Sequence, residues 1–132
     1  MIELVLSLTL ADFIHLAKVV QVEAALNTPD EYCVAVSVLN RVLSDKFPNT
    51  VSGVVYAPGQ YEGIYNRTSK INPNPHLVNK LSSQEGKNNL LLWSKILGSR
   101  TDFKGQSMLR YRVTEEDPMC HSKGNFYHYY WQ

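Results

Sequence analysis

The sequence predicts one small, helix-dominated α+β domain, in which a set of short helices is followed by a short C-terminal β-hairpin or sheet. Three observations carry that expectation. A length of 132 residues matches about one domain, spanning 1–132. Apolar residues recur at three- and four-residue steps over much of the chain, the period of one-sided helices. Near the C-terminus the pattern changes to loose alternation and dense aromatics, the habit of strands.

The first helix is expected over residues 9–26, where Phe13, Leu16, Ala17, Val20 and Ala24 share a face and Thr9 with Asp12 supplies a cap. The second starts on a capping box, with Thr28 as N-cap, Pro29 at the first helical position and Glu31 three residues after the threonine, and should run over 29–43. Cys33, Val34, Ala35, Val36, Val38, Leu39 and Val42 leave it little polar surface, which makes it the central buried helix. Residues 44–75 are rich in proline and glycine, with one short helix expected over 51–57 after Asn49 or Thr50. Phe47, Tyr56, Tyr61 and Tyr65 in that stretch favour an ordered, functional segment. A third helical region covers 75–98, in two pieces broken near Gly86, with Gly98 as its C-cap. Residues 107–113 and 125–131 are expected as short strands, paired across the intervening turn.

Composition excludes several function classes. Apolar residues make up 44% and charged residues 19%, an ordinary globular balance that argues against disorder. Thirteen Lys and Arg against twelve Asp and Glu give a net charge of +1 with no run of like charges, so no electrostatic footprint for nucleic acid exists. No apolar run is long enough to insert into a membrane. The N-terminus fails as a signal peptide: no Lys or Arg precedes its apolar stretch, and Asp12 and His15 follow before any small-residue cleavage site. The expectation is a monomer made in the cytoplasm. Cys33 and Cys120 form no disulfide framework; two unpaired thiols are favoured over a single bridge, and their pairing stays open.

Among residues able to do chemistry, Glu23 stands apart. It lies between Val22 and Ala24 near the end of the first helix, just before a turn, and can project from a rigid element into a space bounded by a loop. A carboxyl group in a partly apolar setting is disfavoured as the anion, which is what a general acid needs. A second candidate set is the loop carrying Tyr56, Gln60, Tyr61 and Glu62, an amide, two phenols and a carboxylate around glycines that allow close approach of a ligand. Spacing alone does not tell whether Glu62 faces Glu23. Cys120, His121 and His128 lack the spacing of a zinc site.

Three stretches resemble the SleB-type cell wall hydrolases, the family of the spore-cortex-lytic enzymes. They are Leu16-Ala-Lys-Val-Val-Gln-Val-Glu23-Ala24, then Val34-Ala-Val-Ser-Val-Leu-Asn40-Arg41-Val42 leading into Phe47-Pro-Asn-Thr-Val51, and Val54-Val-Tyr-Ala-Pro-Gly59-Gln60-Tyr61-Glu62. Gly124-Asn125-Phe126-Tyr127-His128 is similar to the family's closing segment. The resemblance implies a lysozyme-like domain that cuts peptidoglycan between N-acetylmuramic acid and N-acetylglucosamine, typically as a lytic transglycosylase, with no metal or organic cofactor. It assigns the catalytic acid to Glu23, and sugar binding to Gln60, Tyr61 and Tyr56, with Glu62 as a further candidate in the substrate site. Asn40 and Arg41 are expected to hold the site loop to the second helix. The family's Gly- and Arg-containing turn after Glu-Ala is replaced here by Ala25-Leu-Asn-Thr-Pro29, so the loop beside the acid is altered. A catalytic domain without an export signal fits a bacteriophage lysin or virion-associated lysin. The competing readings are a non-catalytic glycan-binding or virion structural protein of the same fold, and a wall amidase or peptidase using a cysteine with a histidine.

Overall fold

The computed structural model describes residues 1–24, 26–58, 68–99 and 101. Among them are six α-helices and no strand: α1 Ile2–Ser7, α2 Leu10–Glu23, α3 Asp30–Leu43, α4 Val51–Val55, α5 Pro75–Ser82 and α6 Gln84–Leu97. This corrects the α+β expectation. The described core is closed by helix packing on helix, with Leu16, Val20, Val34, Leu39, Leu81 and Leu90 meeting in one buried cluster that needs no sheet layer. The two segments expected as strands, 107–113 and 125–131, lie outside the described residues.

Local chemistry explains most helix ends. Thr9 and Asp12 form a reciprocal capping box at α2: the threonine hydroxyl accepts from the Asp12 N–H at 3.2 Å, and the Asp12 carboxylate accepts from the Thr9 N–H at 2.9 Å. Thr50 caps α4, Asn74 caps α5 with Pro75 behind it, and Ser83 caps α6. The break in the third helical region therefore falls at Ser83, not at Gly86, whose N–H is held by the Ser83 hydroxyl at 3.0 Å. Gly98 ends α6 at φ 64°, a left-handed conformation that favours glycine. The capping box expected at Thr28 does not close in the predicted form. Helix α3 begins at Asp30 on Pro29 without a side-chain cap bond, because the Glu31 carboxylate reaches across the fold to Lys80.

Helix α3 is central and packs on α2, α4 and α6, with Cys33, Val34, Ala35, Val36, Val38 and Leu39 fully buried. Cys33 is bonded in a disulfide, which corrects the preference for two free thiols and removes it as a nucleophile in this state. The chain's other cysteine, Cys120, lies outside the described residues. Asn40 and Arg41 do structural work: the Asn40 amide donates to the Gly98 carbonyl at 3.0 Å, and Arg41 Nε donates to the Thr101 carbonyl at 2.8 Å. They thus hold the segment after α6. Helix α1 was not foreseen; it lays Val5 into the core against α6. No described helix is long and apolar enough to cross a membrane.

Candidate functional site

Glu23 is the last residue of α2, followed by Ala24 in an extended conformation that ends the helix. Residues three and four before it, Val20 and Val19, are fully buried, so helical spacing puts Glu23 on the core-facing side of α2. Its position at the helix end leaves it half-buried, with contact to both core and solvent. The chain then turns through Asn27, whose φ of 62° is tolerated by asparagine better than by most residues, and enters α3.

Gln21, two residues before Glu23, anchors this end of α2 to the start of α5. Its amide nitrogen donates to the Asn72 carbonyl at 3.0 Å, and its amide oxygen accepts from the Asn74 N–H at 2.7 Å. Between the turn after Glu23 and the start of α5 lies a cavity of about 200 Å³. Leu26 and Asn27 form one side, Asn74, His76 and Lys80 the other, and Glu31 the base of α3 between them. The Glu31 side chain is 3% exposed and holds Lys80 Nζ at 2.6 Å, while the lysine side chain is 39% exposed. Glu23 does not line this cavity.

Tyr56, the C-cap of α4, packs against another part of α2. Its hydroxyl meets His15 Nδ1 at 2.8 Å, the two rings stand edge to face, and Lys18 Nζ lies 5.2 Å from the phenol ring centre. Lys18 also donates to the Ser69 carbonyl at 3.1 Å. Burial, then the Lys18 charge, hold His15 below its ordinary range against the opposing pull of Asp12. His15 precedes Glu23 by eight residues, about 12 Å along the helix axis. Tyr56 is therefore a phenol tied into a His–Lys cluster, away from the acid's end of the helix. Gln60, Tyr61 and Glu62 lie outside the described residues.

Sequence reasoning missed Glu31, Lys80 and His76 as neighbours of the turn. Glu31 was legible as a carboxylate entering an apolar helix, but its partner comes from a segment 49 residues away. Among the described residues no group of three or more His, Cys, Asp and Glu side chains could hold a metal ion. A family model described as Cell Wall Hydrolase matches residues 28–123, a span that starts beyond Glu23 and includes Asn40, Arg41, Tyr56, Gln60, Tyr61 and Glu62. No curated protein and no solved structure matches the chain significantly.

Proposed function

The chain belongs to the cell wall hydrolase family, and we propose that it cleaves the glycan strand of peptidoglycan between N-acetylmuramic acid and N-acetylglucosamine as a lytic transglycosylase with Glu23 as its acid. The observation that carries this reading is the place of Glu23: half-buried, at the end of the core-facing side of α2, before a turn. Protonated Glu23 gives its proton to the glycosidic oxygen, the bond to the muramic anomeric carbon breaks, and positive charge develops on that ring. The resulting carboxylate takes the proton of the muramic 6-hydroxyl while that oxygen bonds to the anomeric carbon. Proton and charge balance, no water is consumed, and the product ends in a 1,6-anhydro sugar. Such a route needs one carboxylate, unlike the paired groups of ordinary retaining and inverting glycosidases. Gln60, Tyr61 and Glu62 are proposed to contact the strand. The disulfide at Cys33 suits action on the wall, outside the reducing cytoplasm.

Because the family match starts beyond Glu23, and the turn after it carries Ala25-Leu-Asn, a glycan-binding protein without catalysis is the second reading. Clearing of permeabilised bacterial walls separates the two. Wild type clears the suspension and Glu23→Gln, with an unchanged melting curve, does not. Binding to walls without clearing by wild type would establish the second reading.

A further inference from the structure

The cavity between the turn after Glu23 and α5 has a composition that the cleavage chemistry does not use. Asn74 Oδ1 is occupied by the His76 and Leu77 N–H groups at 2.9 and 3.4 Å, which leaves the amide NH₂ of Asn74 as a donor. Lys80 gives one of its three N–H groups to Glu31, and the Glu31 carboxylate supplies a second oxygen as acceptor. Asn27, exposed on the turn and lining the cavity, adds an amide with both donor and acceptor. Against these polar groups stand two apolar walls, Leu77 and the half-exposed Leu26. The cavity, about 200 Å³ and open to solvent on one side, is wide enough to admit one sugar ring.

We infer that this cavity seats one N-acetylated sugar of the glycan strand, its acetamido group hydrogen-bonded by Asn27 and Asn74, its methyl against Leu26 and Leu77, and a ring hydroxyl met by His76 at the rim. The inference rests on the glycan substrate proposed above. Leu26 follows Glu23 by three residues, so their Cα atoms lie within about 11 Å, and Gln21 fixes Asn74 to the same helix end. A sugar seated here is therefore within a few units of the bond that Glu23 cuts. An acidic peptide stem fits less well, because it would bring its carboxylates against the buried Glu31, whose charge already occupies Lys80.

The test uses N-acetylchitotetraose, which carries acetamido sugars and no peptide, titrated calorimetrically into the uncleaving Glu23→Gln protein. In that background Asn27→Gly, which keeps the left-handed backbone accessible, is combined with His76→Ala at the exposed rim. Binding by Glu23→Gln and a loss of at least tenfold in the combined variant are expected. Lys46→Ala, in a separate cavity beside Asn40 and Ser44, should leave affinity unchanged. Equal affinity with and without Asn27 and His76 would overturn the assignment. So would failure to bind the tetrasaccharide when a disaccharide-peptide binds through these two residues, since the occupant would then be the stem. If wild type leaves peptidoglycan uncut while the tetrasaccharide binds through Asn27 and His76, the cleavage reading fails and the sugar seat stands.

Discussion

Gly86→Ala puts helix propensity and packing in direct opposition. In an exposed helix the substitution stabilises by about 1 kcal/mol, since alanine loses less backbone entropy than glycine. Here a Cβ on residue 86 would stand 2.0 Å from the Lys80 carbonyl oxygen, 2.6 Å from that of Leu81 and 2.8 Å from the Leu81 carbonyl carbon. All three are backbone atoms, so no side chain can swing aside, and the end of α5 must move away from α6. Moving it loosens the fully buried Leu81 and displaces the turn that carries Lys80 toward Glu31. Overpacking of this kind costs about 1–3 kcal/mol, occasionally more, which outweighs the propensity gain. Three backbone contacts this short put the cost at the upper end, so the net loss is about 1–2 kcal/mol, and at about 3–6 °C per kcal/mol for a chain of this size Tm should fall by roughly 3–12 °C in a calorimetric scan. An unchanged or raised Tm would refute the claim that Gly86 is there for the close approach of α5.

Lys80→Met leaves the Glu31 carboxylate buried without its cation and should destabilise by about 3 kcal/mol in urea, with most of that recovered by adding Glu31→Leu. His15 has a folded-state pKa below its ordinary 6.5, so its contribution to stability is complete above that value and is lost as pH falls below it. Tm of wild type should drop more steeply than that of His15→Gln between about pH 7 and about pH 5, and parallel curves would contradict the assignment. Reduction of the disulfide at Cys33 should lower stability by about 2–4 kcal/mol, read as a lower Tm in reductant.

Features set by neighbours in the chain were legible in the sequence. Thr9 with Asp12, Thr50, the start at Pro75, and Gly98 each mark a helix end through groups within a few residues, and the apolar circumference of α3 announced its central place. What failed depended on contacts distant in sequence. Glu31 has the spacing of a capping box, yet Lys80 takes its carboxylate. Gly86 read as a helix break, but it is a packing glycine inside the first turn of α6. Helix α1, six residues long, has too little periodicity to register before α6 provides its packing surface. The α+β class failed because the described core closes on helices alone. For the site, the apolar neighbours of Glu23 singled it out. Asn27, Glu31, His76 and Lys80 come together only through the turn after α2 and the docking of α5.

The central claim is that Glu23 protonates the glycosidic oxygen and leaves an anhydro end. Mass spectrometry of the muropeptides released from purified peptidoglycan by wild type and by Glu23→Gln tests it most directly. Fragments one water lighter than hydrolysed ones, present with wild type and absent with the mutant, are the predicted result. Water-containing reducing ends, or the same fragments from Glu23→Gln, would contradict it.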